Sequence, residues 1–522
     1  MSDNKKQLGG EKGDLNWRFL LLGAFICAIA TAAAPYVTLK LGMGVDLSYG
    51  GMFLAAAILG RYASSNKQLA IQLNILQAMI NMVTGIGFMV VILAAFFYIQ
   101  NVFGRDIDFH PKWWQMILWL TTSAVLGVFM GIWPRRAILN DRTLPWPTGK
   151  AVLSVSQTLT DPEATDTVRQ RRNVLTMSTA TAGFLTFLRE GLGVITPMVG
   201  NDALKMAFGL EFAAIGLGML IPLSVGLSGL LGVWFINAFG ETVARLSALA
   251  GTTPGNFDLC RDMIADGKVT NILKPIIGEG AIDSFLATNC GKAAEYLAAP
   301  SHFKFLVQWM MWPATAMMIA AALTSVIIPV VRNLLNRGKN TTDGVDEKSM
   351  ADEYIPLWWT LTGITIPAAL IIWMTSTWFR MPWEQVLLAV AIQPVLIIAG
   401  LRVLGITGSG PVSLMANATQ FLFGLIWPAQ IRGNLAAAYV SANPQAASEQ
   451  ALPAFWVARR LGGRFRTLVI AMIVVIPIGA ILTPLMFNLL EKTYGIGLGQ
   501  GQLSAPTGLK IASLAMVMEN GL

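Results

Sequence analysis

The sequence predicts an all-α polytopic membrane protein, a duplicated helical bundle with broken or re-entrant helices and roughly 13–16 membrane segments. Hydrophobic residues make up 54% of the 522 residues and charged residues only 13%, whereas soluble domains carry about a quarter charged residues. More than ten apolar runs approach the ~20 residues that a membrane-spanning helix needs. A repeat within the chain is the third observation.

The chain contains two similar segments. Trp17–Arg61 and Trp358–Arg402 each consist of two apolar spans that end at an arginine. Gly23 aligns with Gly363, which gives an offset of 340 residues (363 − 23). Internal repeats of apolar segments are typical of transporters, whose substrate sites lie between the repeats near the middle of the bilayer.

A second motif also occurs twice. Leu144–Gly149 (LPWPTG) returns as Leu503–Gly508 (LSAPTG), and a short, mildly apolar helix follows each copy. Proline removes a backbone donor and glycine relaxes the chain, so these turns need protein or water around them. We expect re-entrant hairpins whose helix N-termini point into a cavity, flanked by Thr148 and Lys150. The alternative is a cytoplasmic surface helix.

The apolar runs predict twelve helical stretches, with boundaries uncertain by ~2–4 residues. They lie near 17–39, 44–62, 68–101, 115–133, 174–198, 206–239, 305–332, 356–378, 384–403, 409–446, 467–490 and 506–522. The stretches 68–101, 206–239 and 409–446 exceed one crossing and contain glycine or proline. We expect each of these three to be a broken helix, which a bundle tolerates where the break lines a cavity.

Lysine and arginine in short loops predict the orientation. Three connections rich in arginine should be cytoplasmic together with the N-terminus. The predicted regions are a cytoplasmic tail at 1–16, a first repeat at 17–335 with an extracytoplasmic connection at 240–304, a cytoplasmic linker at 336–355 and a second repeat at 356–522. Both repeats then begin on the cytoplasmic side of the membrane, so the sequence predicts that they run parallel to each other. The sequence leaves open whether the second repeat is naturally short or lacks the last helices of the fold.

The composition argues against several other classes of protein. The net charge of +8 comes from basic residues in short loops, so we expect no nucleic-acid partner. Three cysteines give no disulfide framework and two histidines cannot form a His-rich metal site. No set of catalytic side chains stands out. We therefore predict no catalytic residues, no metal site and no cofactor.

Amide side chains are the main candidates for a substrate cavity. They are placed among apolar residues in two helices, where they can donate and accept hydrogen bonds without a fixed charge. The alternative is hydrogen bonding between helices. The candidates are Gln72, Asn74, Gln77 and Asn81 in the first repeat and Asn417 and Gln420 in the second.

Charged residues next to apolar segments give further candidates. Lys40 and Lys150 suit an anionic substrate group, although lysines at helix ends usually extend to the membrane interface. Glu190 lies inside an apolar run and Glu211 near the start of another, which makes both candidates for proton coupling. For Glu190 the alternative is a local ion pair with Arg189.

Several of these motifs occur together in one known family. The segment Tyr36–Gly42 (YVTLKLG), the LPWPTG loop and the stretch from Arg402 to Pro411 resemble the oligopeptide transporter family, in its prokaryotic and yellow-stripe-like branch. The resemblance implies proton-driven uptake of small peptides or metal chelates, and it adds Tyr36 to the cavity candidates. The sequence departs from the family's pattern at two places. Asn66-Lys67-Gln68 lacks the carboxylate that the family has there, and Thr148 stands where the family has an acidic or polar residue.

The predicted function is secondary active, proton-coupled import of small peptides or of metal-chelate, siderophore-like complexes. A channel formed by the duplicated bundle is the alternative, and an integral-membrane enzyme fits less well because few titratable groups converge. The expected partners are the substrate, protons and the lipid bilayer, and a homodimer stays open. The expected location is the inner (plasma) membrane.

Overall fold

The structure is a computed structural model, and it describes part of the chain. The described residues are 15–186, 188, 192, 194, 198–201, 206–209, 223–249, 317, 320, 324 and 353–519, with gaps at 16, 43, 45, 60–64, 106, 108–110, 142, 161–165, 429 and 498–501. The chain forms two compact units. The first contains 1–200, 207–222 and 319–522, and the second contains 201–206 and 223–318.

Helices account for nearly all regular structure in the described residues. In the first half they are α1 Trp17–Leu41, α2 Ser48–Leu59, α3 Asn66–Gly87, α4 Val90–Phe97 with a π-helical extension Tyr98–Val102, α5 Trp113–Ile132, α6 Arg135–Leu139, α7 Pro147–Thr160, α8 Asp166–Thr186 and α9 Leu223–Leu249. In the second half they are α10 Leu357–Trp378, α11 Trp383–Ala391, α12 Gln393–Thr407, α13 Val412–Ile426, α14 Ile431–Leu461, α15 Phe465–Tyr494 and α16 Pro506–Glu519.

The prediction of an all-α polytopic membrane protein is confirmed. Among the described residues, six helical segments are long and apolar enough to cross a membrane: 17–41, 66–102, 113–132, 357–378, 383–407 and 465–494. A sheet of two four-residue strands, β1 Met198–Asn201 and β2 Met206–Gly209, is a small addition to the helices. Large apolar side chains on α1, α10 and α15 are exposed, as lipid-facing surfaces require.

Two of the three predicted helix breaks are present, with shifted boundaries. The third prediction, a broken helix at 206–239, is wrong at its start, because Met206–Gly209 is the strand β2 and α9 begins at Leu223. The stretch 68–101 breaks at Phe88 and Met89 between α3 and α4, and 409–446 is divided between α13 and α14. The predicted helix 174–198 is wrong at both ends, because α8 begins at Asp166 and ends at Thr186. The predicted helix 305–332 lies almost wholly outside the described residues.

The helix α14 is buried although its sequence is polar. Every residue from 433 to 449 is buried. Alanines favour the helix, and Gly462 ends it in the left-handed conformation at φ 72°. Two glycines of α5 let the backbones approach closely: a Cβ on Gly127 would lie 2.3 Å from the Pro444 carbonyl oxygen, and one on Gly131 would lie 2.8 Å from Cβ of Ser448.

The register predicted for the repeat is wrong. The 25-residue helix Trp17–Leu41 corresponds to the 25-residue segment Trp383–Thr407, formed by α11 and α12, at an offset of 366 residues (383 − 17). A short helix, a long buried helix and a further long helix then follow in the same order, and α7 and α16 each have 14 residues. Gly363 instead lies on α10, before the second repeat begins. Small residues recur in most membrane helices, so the Gly23–Gly363 match could not fix the register.

Contacts at the ends of helices show the relative direction of α5 and α15. The Arg459 guanidinium at the end of α14 donates to Asn140 Oδ1 at 2.9 Å and to the Leu139 carbonyl at 3.2 Å, just beyond α5. We call this the arginine end of the first unit, and α15 begins there. Its 30 residues span about 45 Å, and its last residue, Tyr494, packs against Tyr36 near the end of α1, with ring centroids 5.7 Å apart. The helices α5 and α15 therefore run in opposite directions.

The other corresponding helices are antiparallel too. The end of α12 lies at the arginine end, where Arg402 pairs with Asp141 at 3.2 Å, whereas α1 ends at the opposite end. Lys67 at the start of α3 lies beside Gly462 at the end of α14. The repeats are thus inverted, and the prediction of parallel repeats is wrong. Within the described residues, the helix α10 precedes the second repeat and adds one membrane crossing. The 340-residue offset wrongly counted α10 as the first helix of that repeat.

The close approach of α5 to α14 gives a prediction about stability. Gly127→Ala places a methyl group against the Pro444 backbone, which cannot move like a flexible side chain. We expect a loss of about 1–3 kcal/mol in the free energy of unfolding. Thermal unfolding of the purified protein in detergent measures the effect. Gly50→Ala is the control, since nothing lies within 4 Å of its Cβ position, and equal effects of the two changes would contradict the packing.

Candidate functional site

Two corresponding turns, one in each repeat, form the core of the candidate site. The turn after α1 begins at Gly42 (φ 74°), and the turn after α12 begins at Gly408 (φ 79°). Both φ values are in the left-handed region, which glycine adopts without strain. Each turn meets the start of a Pro-Thr-Gly helix from the other repeat and a polar residue from the long buried helix of its own repeat. We call them the first and second junction.

The second junction contains the turn 408–411 and the start of α7. The Trp146 N–H donates to the Gly405 carbonyl at 2.9 Å, and a Cβ on Gly408 would lie 2.8 Å from Cγ of Pro147. The hydroxyl of Thr148 is buried there without a hydrogen-bond partner. The helix α7 therefore begins at Pro147 against a turn inside the first unit, whereas Lys150 is exposed.

The first junction has the same construction with the repeats exchanged. It contains the described residues of the turn after α1, which are 42, 44, 46 and 47, and the start of α16. The Ala505 N–H donates to the Leu39 carbonyl at 2.8 Å, and the Thr507 hydroxyl donates to the Gly42 carbonyl. Leu39 and Gly405 each stand three residues before the glycine that begins the turn.

Glu449 of α14 is the polar residue of the second junction. Its side chain is 3% exposed, and Gln445 donates to its Oε1 at 2.5 Å. It fills the space that side chains would take at Gly400 and Gly410, where an added Cβ would lie 2.9 Å from Oε1 and 1.5 Å from Oε2. Glu449 is about 18 Å along the axis from the end of α14, which is about 46 Å long, so it lies well inside the bundle.

Glu449 has no positively charged partner among the described residues. The nearest cation along α12, Arg402, is paired with Asp141, and Arg459 of α14 is paired with Glu353. Charged residues buried without a partner cost several kcal/mol. The residue therefore favours its neutral, protonated form while it is enclosed.

Asp46 and Asn81 occupy the first junction. Asp46 is exposed, and its Oδ1 accepts hydrogen bonds from the Ser48 N–H at 2.9 Å and from the Ser48 hydroxyl. The Asn81 amide of α3 faces the Asp46 carboxylate as a donor. Asn81 Oδ1 is buried without a partner. Each junction thus holds one carboxylate, on the turn in the first and on the buried helix in the second.

Three other polar residues of α14, Asn434, Ser441 and Asn443, are held by neighbouring helices. Each uses a different partner, so they join α5, α12 and α13 to α14. The bonds are Gln420 Nε2 to Asn434 Oδ1 (2.8 Å), Gln393 Nε2 to Ser441 Oγ (2.9 Å), Thr419 Oγ1 with Ser441 Oγ (2.7 Å) and Asn443 Nδ2 to the Leu120 carbonyl (3.0 Å).

The predicted amide candidates of α3 differ in whether their side chains have hydrogen-bond partners. Gln72, Asn74 and Gln77 are all buried in α3. Asn74 donates to the Ala454 carbonyl of α14 at 3.1 Å, which is the interhelical bond of the alternative interpretation. Gln77 Oε1 is buried without a partner.

In the second repeat both amides bond to other helices. Gln420 donates to Asn434 and also to the Ile511 carbonyl of α16 at 3.1 Å. Asn417, with its amide oriented so that both atoms find partners, donates to the Ser413 carbonyl and accepts from Lys510 Nζ at 2.9 Å. Both residues connect helices within the bundle, so a role in substrate binding stays a prediction.

Of the remaining candidates, Tyr36 and Lys40 lie at the end of α1 that leads into the first junction, and the other two are outside the described residues. Lys40 Nζ donates to the Tyr36 hydroxyl at 3.4 Å and lies 5.5 Å from the centre of its ring. The proton-coupling candidates Glu190 and Glu211 are outside the described residues. No group of three or more His, Cys, Asp or Glu side chains that could hold a metal occurs in the described ranges.

Electrostatics at the arginine end differ from those at Glu449. Burial alone would raise the pKa of Asp141, but hydrogen bonds from Thr143 and the Arg402 guanidinium outweigh it and hold the pKa below its ordinary value. The stability from this ion pair is therefore present above the ordinary carboxyl pKa and is lost as the pH falls through the lowered one.

Sequence reasoning missed the carboxylates of both junctions. A signal for Glu449 was available, because it is the single charged residue between Arg432 and Arg459. The predicted stretch 409–446 ends three residues before Glu449, which places the residue outside the predicted span. No comparable signal marks Asp46, which sits in an ordinary loop.

The hydrogen bonds of Gln420 give a prediction. Gln420→Leu leaves Asn434 and the Ile511 carbonyl without this partner, so we expect a loss of about 1–3 kcal/mol for each buried group left unpaired. Gln77→Leu removes an oxygen that already has no partner and should cost less. Thermal unfolding in detergent compares the two variants, and a greater loss for Gln77→Leu would contradict the assigned bonds.

Comparison with known proteins agrees with this architecture. A protein-family model described as OPT oligopeptide transporter protein matches residues 14–522. A Haemophilus influenzae protein named "Putative oligopeptide transporter" is 24% identical over 204 residues, which are 38% of this chain. The match spans 30% of the length of that relative. Because the family model covers nearly the whole sequence, the chain belongs to the OPT oligopeptide transporter family.

Proposed function

We propose that this multi-pass membrane protein is a proton-coupled importer of small peptides. The family supplies the expectation of oligopeptide transport. The observation that carries the proton coupling is Glu449, a carboxylate enclosed in a buried helix without a cationic partner in the part of the chain that the structure describes. Inverted repeats support the transport mechanism, since alternating access in such folds comes from movement of one repeat against the other.

The proposed coupling uses the difference between an enclosed and an open state of Glu449. In the enclosed state the carboxyl group is neutral because ionisation there would leave a buried, unpaired charge. When the turn 408–411 moves away from α14, water reaches the group and the proton can leave. One proton then crosses with each cycle, and a pH gradient drives the accumulation of substrate.

The glycines around Glu449 suit such a movement. Gly400 and Gly410 have no side chains, so the carboxyl group packs directly against the backbone of α12 and of the turn. Gly408 has a left-handed φ, which lets the chain change direction after α12. The only hydrogen bond assigned to Glu449 among the described residues comes from the neutral amide of Gln445, which stays on the same helix when the turn opens.

The proposed orientation has the arginine end facing the cytoplasm. Arg135, Arg402, Arg459 and Arg466 are described there, and short cytoplasmic loops are rich in arginine. The N-terminus is then cytoplasmic, because α1 ends at the opposite end. The inner (plasma) membrane is the proposed location. A homodimer and metal chelates as alternative substrates stay expectations from the sequence.

Glu449→Gln tests the coupling. Glutamine has the shape of the protonated side chain, so the variant should fold and exchange peptide across the membrane. In proteoliposomes, a gradient of about one pH unit should let the wild type accumulate peptide about tenfold for one proton per peptide. The variant should reach equal concentrations on both sides.

The control is Glu384→Gln, which removes an exposed carboxylate at the start of α11 and should leave accumulation unchanged. Small peptides and an iron–chelator complex are assayed in parallel to decide the substrate class. Tenfold accumulation by Glu449→Gln would exclude Glu449 as the coupling residue. Wild-type uptake that ignores the pH gradient would contradict proton coupling itself.

A further inference from the structure

We propose that Asp46 and Asn81 of the first junction bind the α-ammonium group of the transported peptide. This inference rests on the proposed peptide substrate and assigns one end of it to a place in the structure. The sequence candidates for the substrate included Asn81 but not Asp46.

Asp46 is exposed as a residue at the turn after α1, although protein atoms surround its carboxylate closely and it lies beside a residue of the buried helix α3. The carboxylate has capacity for a further donor. An ionised carboxylate accepts about four hydrogen bonds. Ser48 provides two donors, both to Oδ1, and Asn81 faces the carboxylate as a third. One further strong donor can therefore bind.

The polar atoms around Asp46 favour a ligand with several N–H donors. Asn81 is 6% exposed, and its Oδ1 has no hydrogen-bond partner. The hydroxyl of Tyr49, three residues after Asp46, is also buried without a partner. A carboxylate and an unpaired amide oxygen both accept hydrogen bonds, and a primary ammonium group has three donors to offer them. An anionic group would be repelled by Asp46.

The simpler interpretation makes Asp46 only a cap for α2. Capping explains the two bonds from Ser48. It does not explain the unpaired buried oxygen of Asn81, since an orphaned buried acceptor costs about 1–3 kcal/mol. A ligand that donates to both groups removes this cost.

The test compares a tripeptide with its N-acetylated form. Acetylation removes the ammonium charge and keeps the rest of the peptide. We measure the Kd of trialanine and N-acetyl-trialanine for the purified full chain by calorimetry. The wild type should bind trialanine about tenfold or more tightly than the acetylated form, as expected for a charge-assisted hydrogen bond. Asp46→Asn should bind both forms with similar affinity.

The variants are chosen to keep the fold, and the controls test whether a lost preference for trialanine comes from unfolding or from a general loss of charge. Asparagine caps helices about as well as aspartate, so Asp46→Asn should retain α2 and the elution volume of the wild type. Glu384→Gln removes the same charge elsewhere and should keep the preference for trialanine. Asn81→Leu, which removes the unpaired oxygen, should reduce this preference severalfold.

Three results would overturn the inference. The first is equal affinity of the wild type for both peptides. If the same preparation still takes up trialanine, only the inference fails and the proposed function stands. The second is an Asp46→Asn variant that keeps the full preference. A requirement for Na⁺ that disappears in Asp46→Asn would assign the site to a metal cation instead. If the wild type neither binds nor transports either peptide, the proposed peptide substrate itself is wrong.

Discussion

The structure depends on one constraint, the burial of polar α14 in a bundle where lipid provides no hydrogen bonds. Buried polar side chains need hydrogen-bond partners within the protein, and Asn434, Ser441 and Asn443 find theirs on α13, α12 and α5. These bonds fix the position of α14, and among the described residues Glu449 bonds only to the neutral amide of Gln445. The same packing that stabilises the bundle therefore creates a carboxyl group whose charge depends on whether the site is open.

Inversion of the repeats gives this constraint a functional meaning. Each junction combines a glycine turn, a Pro-Thr-Gly helix from the other repeat and a long buried helix, so movement of one repeat changes both junctions together. They are not chemically equal. The first has Asp46, an exposed residue of the turn, beside an unpaired amide oxygen of Asn81, whereas the second has the buried residue Glu449 between glycine backbones. In the proposed mechanism the first junction binds the ammonium end of the peptide and the second carries the proton.

The sequence predicted the fold class, two of the three broken helices and the paired Pro-Thr-Gly helices, because apolar length, glycine and proline act locally. It was wrong for 206–239, where Met206–Gly209 is a strand. It could not predict the register or the inversion. Gly23 and Gly363 matched by composition, while the true correspondence rests on Gly42 and Gly408, whose left-handed φ values are visible only in the folded chain. Gln420 shows the same limit: an amide in an apolar helix fits a cavity or an interhelical bond equally well until Asn434 is placed beside it.

The most direct test of the account is whether protons enter with the peptide. Proteoliposomes are prepared with equal pH on both sides, a clamped membrane potential and a pH-sensitive dye inside, and a small peptide is added outside. Proton-coupled import predicts that the interior acidifies as peptide enters, with about one proton taken up for each peptide. Peptide uptake at constant internal pH would contradict it.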